Sequence, residues 1–360
     1  MLITYFTANL YVISKLTNSP ILESKNIIWK FSLILISFIY IFIKIYLKYF
    51  DTNIFILYLN YIGSFYLALI NYLLFIYIFI NIISILNKTI NIFSFTEYKF
   101  YMYGTIFAVL IVLLSHINIY FPITKEYNIK TDKKLDEKVK IVMISDMHLS
   151  NISVKWYWDK VVNMINKIDS DYIIIAGDIL DTDVKEINRV YYNKLFLKLQ
   201  SKKGIYGVMG NHDYFGNIDN NRVFLSESNI NILEDEYVEL DNINIIGRKD
   251  KSYNRTGNMR KNINDIILDI DNEKYNILID HTPNDLNVAV ENGIDLQLSG
   301  HTHNGQFFPW NLVTKRIFEV ARGHIVKEKT DVIVSSGIGV WGPPIRNSSR
   351  PEIIIINIEN

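Results

Sequence analysis

Residues 139–148 read VKIVMISDMH, an apolar run that ends in Asp146 and His148. A short apolar run bounded by polar residues predicts a buried strand, here from Val139 to Ser145. In an extended segment, residues two positions apart point to the same face, so Asp146 and His148 can reach one metal ion. An isolated Asp-x-His is common, and the rest of the chain must decide whether this one has a function.

Similar apolar runs recur through the second half of the chain. They predict strands at Tyr172–Ala176, Gly204–Met209, Asn229–Leu233, Tyr237–Leu240, Ile243–Ile246, Tyr275–Ile279, Ile294–Leu298, Val332–Ser335 and Ile353–Ile358. Helical spacing of apolar residues predicts helices at Trp156–Ile168 and Asp183–Leu199. This alternation of strands and helices predicts an α/β fold in which two mixed sheets are flanked by helices.

Further metal-type side chains also follow predicted strands, namely Asp178, Asn211, His281, His301 and His303. In layered α/β proteins the site lies at the carboxyl ends of strands, so we expect these side chains in one pocket. The two carboxylate oxygens of Asp178 allow it to bridge two ions. Neighbouring glycines should let the backbone turn sharply beside the ligands, at Gly177, Gly210, Gly300 and Gly305.

This mixture of hard oxygen ligands and imidazoles suits a pair of divalent metal ions, Mn²⁺ first, with Fe or Zn²⁺ as alternatives. Two ions about 3.5–4 Å apart lower the pKa of a bridging water to about 7 and clamp a phosphoryl group during in-line attack. We expect His212 to protonate the leaving group or bind a phosphoryl oxygen. Asp213 or Asp181 would fix a histidine tautomer. Arg346 has two possible roles: it could bind a phosphate or an acidic head group, or it could form a surface salt bridge.

The first 122 residues contain long apolar runs at Ile27–Phe50, Ile54–Leu86 and Phe100–Phe121. About 20 apolar residues span a bilayer, so each run predicts a membrane helix. The second run is long, and we favour one span from about Gly63 to Leu86 over two re-entrant pieces. A fourth, weaker candidate is Leu2–Leu16, which makes three or four spans.

We therefore predict a transmembrane helical domain at 1–122, a linker at 123–137, part of which can form a strand, and a catalytic domain at 138–360. His116 in the last span is expected to pair within the helix bundle. The lysines on the two predicted sides of the membrane nearly balance, so they do not reveal the side of the catalytic domain. The expected location is the cell membrane, as a multi-pass protein.

The composition excludes some classes of protein. The chain has 37 Lys and Arg against 37 Asp and Glu, and a nucleic-acid partner is not expected without a basic surplus. It has no Cys, which excludes disulfides and thiolate metal sites. The expected partners are the membrane and a phosphorylated small-molecule or lipid substrate.

Five motifs carry a resemblance to a known family: Asp146-Met147-His148, Gly177–Asp181 (GDILD), Gly210–Asp213 (GNHD), His281, and Gly300–Gln306 (GHTHNGQ). Alone, each is an ordinary loop or turn, but in this order they resemble the motifs of the calcineurin-like metallophosphoesterases. The resemblance covers roughly residues 138–360.

It implies a four-layer αββα sandwich and a binuclear metal site. One ion would take Asp146, His148, Asp178 and His303. The other would take Asp178, Asn211, His281 and His301. His212 would face the leaving group.

A closer likeness is to a bacterial subgroup of membrane-associated phosphodiesterases. It rests on Gly247–Asp250 (GRKD) and Gly337–Arg346 (GIGVWGPPIR), and some members carry N-terminal spans. Relatives of this subgroup include enzymes that cleave the diphosphate of UDP-diacylglucosamine. Asn304 departs from the glycine usual at its position and is expected to add bulk at the pocket rim.

The leading hypothesis is a membrane-anchored, metal-dependent phosphohydrolase acting on phosphodiester or diphosphate bonds of a lipid-linked or nucleotide-linked substrate. One alternative is a broad phosphodiesterase acting on soluble nucleotides. A hypothesis from another class is a membrane sensor or transport protein whose soluble domain binds metal without turnover. The complete ligand set favours an enzyme, since a degenerate domain is expected to have lost at least one ligand.

Overall fold

The computed structural model describes residues 2–17, 27–50, 53–90 and 97–360. The chain divides into two compact units. One contains residues 1–117 and 342–345, and the other contains residues 118–341 and 346–360.

The first unit is helical, with α1 Leu2–Thr17, α2 Ile27–Tyr49, α3 Ile54–Ile90 and α4 Glu97–Asn118. Helix α3 continues through Gly63 without a break, so the re-entrant alternative is wrong. Its 37 residues make a helix of about 55 Å at ~1.5 Å per residue. A Cβ atom on Gly63 would lie 2.9 Å from the backbone of Tyr40. Gly63 therefore marks a close crossing of α2 and α3 instead of a helix end.

Among the described residues, two helices are long and apolar enough to cross a membrane, at 54–88 and 99–118. A shorter apolar stretch occupies residues 31–47 of α2. The expected count of about four spans therefore stays a prediction.

Polar side chains inside the helical unit bond to one another. The Tyr66 hydroxyl donates to Asn9 Oδ1 at 2.6 Å, and the Tyr61 hydroxyl lies 3.0 Å from His116 Nε2. Pairing of this kind is expected for polar groups inside an apolar bundle. His116 is thus paired within the bundle, as predicted.

The second unit contains two six-stranded mixed sheets. The strands of the first are ordered β1-β12-β2-β3-β4-β5, and those of the second β10-β11-β9-β8-β7-β6. Their bounds are β1 Ile123–Lys130, β2 Val139–Ile144, β3 Tyr172–Ala176, β4 Gly204–Val208, β5 Asn231–Ile232, β6 Glu236–Glu239, β7 Ile243–Gly247, β8 Tyr275–Ile279, β9 Leu296–Ser299, β10 Gly323–Lys327, β11 Thr330–Val334 and β12 Glu352–Glu359.

Helices cover both outer faces of the paired sheets. They are α5 Lys155–Asn166, α6 Arg189–Phe196, α7 Ile218–Glu227, α8 Ile263–Ile266 and α9 Leu286–Glu291. A further helix, α10 Trp310–Ile317, follows the loop that carries His303 and has no buried residue. Along β2, Ile141 packs between the two sheets, whereas Val142 packs in the core formed with α5, α6 and α7. A strand buried on both faces reads as a continuous apolar run, which is why β2 shows no alternation. Ile246 and Leu278 of the second sheet pack against α8 and α9. The predicted four-layer αββα sandwich is confirmed.

Three local differences from the predicted elements have clear causes. Residues 123–130, placed in a linker of which part was expected to form a strand, form β1 and pair in parallel with β12. Strand β10 was not predicted, because Gly323–Lys327 is only partly buried and has no apolar run. The helix predicted from Asp183 becomes a 3₁₀ turn at 184–186 followed by α6. The break lies where the Asn188 side chain caps α6 by accepting from the Tyr191 amide at 3.0 Å.

The sheet topology brings the motif loops to one edge. Strands β2, β3 and β4 are mutually parallel, as are β7, β8 and β9 of the other sheet. Their carboxyl ends lead into the segments that carry the motif residues. These loops hold Asp146, Asp178, Asn211, His281 and His301.

Candidate metal centre

Hydrogen bonds between loops fix the position of Asp146. Its amide donates to Gly177 O at 2.9 Å, and the His148 amide donates to Asp178 O at 3.0 Å, which extends the pairing of β2 and β3 beyond the strands. The Asp146 carboxylate accepts from the His301 amide at 2.9 and 3.1 Å. One buried side chain therefore ties the first sheet to the second at the point where ligands are expected.

One group of ligand atoms surrounds His148 Nε2. This atom lies 2.9 Å from His303 Nε2 and 3.6 Å from Asp178 Oδ2, and His303 Nε2 lies 3.4 Å from Asp146 Oδ1. Two imidazole nitrogens this close, beside two carboxylates and all buried, form a donor set that suits a divalent cation.

A second group surrounds His281 Nε2. Asp178 Oδ2 and Asn211 Oδ1 each lie 3.2 Å from it, and Asn211 Oδ1 also lies 2.7 Å from His301 Nδ1. Asp178 Oδ2 therefore borders both groups. The seven side chains predicted as ligands are therefore close together in the structure.

Burial and the charges of neighbouring side chains set the pKa values in the two groups. Burial alone would raise the pKa of Asp178, but the charge and hydrogen bond of His281 outweigh it and lower the pKa. Burial, with the charges of His148 and Arg346, holds the pKa of His303 well below 6.5. Burial and His281 likewise lower the pKa of His301. His303 and His301 are therefore held as neutral imidazoles, the form that binds metal.

Five of the seven predicted ligands have a left-handed backbone. Their φ angles are positive, at 53° for Asp146, 46° for His148, 52° for Asp178, 70° for His301 and 48° for His303. Such values are uncommon for residues other than glycine and cost free energy, so they persist only where the surrounding structure enforces them. This concentration of strain at strand ends marks the site independently of its side chains.

The motif glycines serve two different purposes. Gly177 has a φ of 86°, as expected for a sharp turn. Gly210 is needed for space instead, because an added Cβ would lie 2.2 Å from Asp178 Oδ1. Gly300 resembles Gly210, with its Cβ position 2.4 Å from Asp146 Oδ2. The expectation that all four glycines serve as turns is therefore corrected for these two, where the missing side chain makes room for a ligand.

His212 lies beside the first group of ligands and is oriented by Asp181. Its Nδ1 lies 2.8 Å from Asp181 O and 3.3 Å from Asp181 Oδ1. Burial would lower the pKa of His212, but the hydrogen bond to Asp181 and the charges of Asp178 and Asp181 raise it to about 9. With Nδ1 engaged by Asp181, Nε2 is left as the nitrogen able to exchange a proton with a substrate.

Asp213 has a different environment. Its carboxylate accepts from the backbone amides of Leu180 at 2.7 Å, Gly210 at 2.8 Å and Ile179 at 3.1 Å. These three bonds join the loop that follows β3 to the loop that follows β4. Between the two candidates for orienting a histidine, the geometry thus favours Asp181, and Asp213 holds the ligand loops together.

Arg346 fits neither role left open by the sequence, because its side chain is completely buried. It donates to the carbonyls of Gly337, at 2.7 Å, and Ser336, and its Nη2 lies 3.4 Å from His303 Nδ1. It thus lies behind His303, away from solvent, where it supports the ligand loop.

Asn304 is buried and not at a rim. Its Nδ2 donates to Ser348 O at 2.9 Å, and its φ of 48° is one that asparagine tolerates better than most residues. The expected extra bulk is therefore directed into the domain.

A buried charge cluster that the sequence did not predict lies next to His281. Asp280 pairs with Arg248 Nη1 at 3.2 Å and Arg260 Nη1 at 3.3 Å. Asp250 accepts from the Thr282 hydroxyl at 2.6 Å. The only signal in the sequence was the Gly247–Asp250 motif, which carries two of these charges.

Two facing mixed sheets with buried aspartate and histidine groups at their shared edge define a metal-dependent hydrolase of the metallophosphoesterase class. A model of the calcineurin-like phosphoesterase family matches residues 139–305. An uncharacterized metallophosphoesterase of Aquifex aeolicus is 32% identical over 259 residues, which cover 70% of this chain and 97% of that protein. The chain therefore belongs to the calcineurin-like metallophosphoesterase family and is a metal-dependent phosphoesterase.

The alignments with two other relatives cover a smaller share of those proteins. An uncharacterized metallophosphoesterase of Helicobacter pylori is 33% identical over 66% of this chain and 64% of that protein. A bovine transmembrane protein with metallophosphoesterase domain is 31% identical over 60% of this chain and 52% of that protein. Among solved structures, an archaeal phosphodiesterase aligns with a TM-score of 0.32 and 18% identity, over 54% of this chain and 82% of that one.

Proposed function

We propose that this protein is a membrane-anchored phosphohydrolase with two divalent ions that cleaves phosphodiester or diphosphate bonds. The observation that carries the proposal is the position of Asp178 Oδ2, within 3.6 Å of His148 Nε2 and 3.2 Å of His281 Nε2. A single carboxylate oxygen between two sets of ligand atoms supports a binuclear site with a shared bridge.

The side chains present fit such a pair of ions. Asp146, His148 and His303 would join Asp178 around one ion, and Asn211, His281 and His301 would join it around the other. When bound, divalent ions acidify water and stabilise negative charge on phosphoryl oxygens. Mn²⁺ is the ion we expect, and Fe or Zn²⁺ accept the same ligands.

The chain supplies the proton for the leaving group through His212. Asp181 holds His212 Nδ1, so Nε2 is the nitrogen that would give the proton to a leaving oxygen. Protonation by a positioned histidine contributes typically ~10²–10⁴-fold to the rate.

The substrate we propose carries its phosphate on a lipid or a nucleotide. The apolar helices at 54–88 and 99–118 support a membrane location. The bovine relative, a transmembrane protein with metallophosphoesterase domain, supports the same location. An anchored site works at short range on substrates held in the same bilayer.

The test uses the full chain in detergent, stripped with a chelator and reloaded with Mn²⁺. We expect it to hydrolyse bis(p-nitrophenyl) phosphate, with about two metal ions bound per chain by elemental analysis. Asp178→Asn should lower kcat/KM by roughly 10³-fold or more, since it removes the shared oxygen charge. Asp219→Asn is the matched control, because its side chain is 91% exposed. Wild-type activity or full metal content in Asp178→Asn would refute the bridging role.

A further inference from the structure

Helix α10 and the residues before it expose an unusual apolar surface. We call it the α10 face, and it consists of Phe308, Trp310, Leu312, Val313 and Ile317. These side chains are 43–66% exposed. Exposed apolar residues are ordinary when scattered, but five within ten positions form a patch that normally has a partner.

The helix is oriented opposite to the usual pattern of a soluble domain. Its more shielded residues are the polar Asn311 and Thr314, whose Oγ1 donates to Asn311 O at 3.1 Å, whereas its leucine, valine and isoleucine side chains are exposed. A surface helix of a soluble domain buries its apolar stripe against the core. Packing within the domain therefore does not explain the sequence of α10, and a binding partner would.

The charges on this segment favour a membrane as that partner. Lys315 and Arg316 are exposed in the last turn of α10, and residues 306–318 contain no Asp or Glu. Interfacial helices combine aromatic and aliphatic side chains with lysine and arginine, which attract anionic lipid head groups. Tryptophan, here Trp310, is the residue most typical of the membrane interface.

The α10 face begins directly beside the metal ligands. A Cβ atom on Gly305, two residues after His303, would lie 2.3 Å from the Asn311 amide nitrogen and 2.4 Å from the Trp310 carbonyl carbon. The first turn of α10 therefore packs against the ligand loop with no space between them. A surface in contact with lipid at this point would bring lipid head groups close to the loop that carries His303.

We propose that the α10 face binds the surface of a lipid bilayer, so that the enzyme takes phosphate esters from lipids in that bilayer. The proposal rests on the proposed membrane-anchored phosphohydrolase and adds a second contact with the membrane, made by the catalytic domain itself. A partner protein is the competing occupant, and the test is designed to exclude it.

The first experiment uses the absence of cysteine from the chain. A nitroxide is attached to Leu312→Cys, and in a separate sample to Leu268→Cys, in the full chain reconstituted into phosphatidylcholine–phosphatidylglycerol nanodiscs. Leu268 is a matched control, since it is an 80% exposed leucine flanked by the acidic Asp265 and Asp269. Power-saturation EPR compares collisions with oxygen, which partitions into lipid, and with a water-soluble nickel chelate.

We expect the label at 312 to collide more with oxygen and less with nickel, and the label at 268 to do the reverse. Equal access of nickel to both labels would overturn the proposal. Binding of the α10 face to protein instead of lipid would also overturn it, and would lower collisions of the label at 312 with oxygen as well as with nickel. This readout requires no catalysis, so it stands even if the proposed reaction fails.

The second experiment measures the consequence for the substrate. The double variant Leu312→Glu with Ile317→Glu is compared with Leu268→Glu on hexadecyl p-nitrophenyl phosphate in the bilayer and on bis(p-nitrophenyl) phosphate in water. We expect the double variant to lose at least about tenfold in rate on the lipid substrate alone. Equal loss on both substrates, or no loss, would argue against the α10 face. Failure of wild type on both substrates would instead refute the proposed function.

Discussion

Gly210 shows how a single missing methyl group shapes the candidate site. In Gly210→Ala, the new Cβ would lie 2.2 Å from Asp178 Oδ1 and 2.4 Å from the Asp178 amide nitrogen. The carboxylate or its loop must move, so we expect kcat/KM to fall by roughly 10²-fold or more, since misplacement by about 1 Å can cost that much. The measurement is hydrolysis of a soluble aryl phosphodiester.

Gly257→Ala is the control for this substitution. Gly257 has a φ of 88°, but no atom lies within 4 Å of its Cβ position. The alanine substitution should lower the free energy of unfolding by about 1 kcal/mol through backbone strain and leave kcat unchanged. Similar losses of activity in the two variants would mean that general destabilisation explains the effect at Gly210.

Asp181 can be tested as a positioning residue for His212. We expect Asp181→Asn to lower kcat about 10–100-fold, because the amide holds the imidazole less firmly and no longer stabilises its charge. In a His212→Ala background the same change should have little further effect, as a double-mutant cycle would show. Asp181 Oδ1 also lies 3.4 Å from His148 Nδ1. If Asp181→Asn binds less metal than the wild type, then Asp181 positions His148 instead of His212.

At this scale the sequence predicted which ligands would meet but not how each is supported. Strand ends and motif spacing were enough to gather the seven ligands in one place. They could not decide between Asp181 and Asp213, because that depends on which loop amides face each carboxylate. Nor could they show that Arg346 is buried, since a single arginine in a loop carries no signal of its depth.

Strand β12 begins with a buried carboxylate whose ionisation should control part of the stability. Glu352 accepts from the Ser336 amide at 2.7 Å and pairs with Arg322. Burial would raise the pKa of Glu352, but Arg322 and Ser336 hold it below 4.5. A carboxyl group with a lowered pKa in the folded state stabilises the fold above its unfolded pKa, and this contribution is lost as pH falls through the folded value.

Glu352→Gln should therefore lower the unfolding midpoint most at neutral pH, and the difference from wild type should shrink as pH falls below about 4.5. Both the midpoint and its dependence on pH are measured by unfolding the full chain in detergent and recording intrinsic fluorescence. Glu359→Gln is the control in the same strand, since its pairing with Lys138 is partly exposed and worth little. A difference independent of pH would mean that packing, not charge, is the contribution of Glu352.

The two strands whose bounds could not be predicted from the sequence, β1 and β10, share one property, which is partial exposure. Strand β1 reads ITKEYNIK and lies at the edge of its sheet, so only one of its eight residues is fully buried. Hydrophobic periodicity detects strands with a buried face, and an edge strand rich in charges resembles a linker. Doubly buried strands such as β3 were predicted to the residue for the opposite reason.

The whole chain is expected to behave as an integral membrane protein. After expression, it should remain in the membrane pellet through a wash with alkaline carbonate and be released by detergent, because long apolar helices are not extracted by charge or pH. The same fractionation of a variant that lacks residues 1–90 tests which helices are needed as an anchor. Retention of this variant in the membrane would mean that α4 alone is sufficient. Release of the full chain by carbonate would refute membrane spanning.

The pairing of β1 with β12 decides where this protein can be cut. A fragment starting at residue 138, the boundary that the motifs alone suggest, would lose β1 and leave β12 as a bare edge reading EIIIINIE. Unpaired backbone beside a row of isoleucines is a template for aggregation. Recombinant fragments of the catalytic domain should therefore begin before Ile123, and insoluble material from shorter ones would reflect the missing strand and not a failure of the fold.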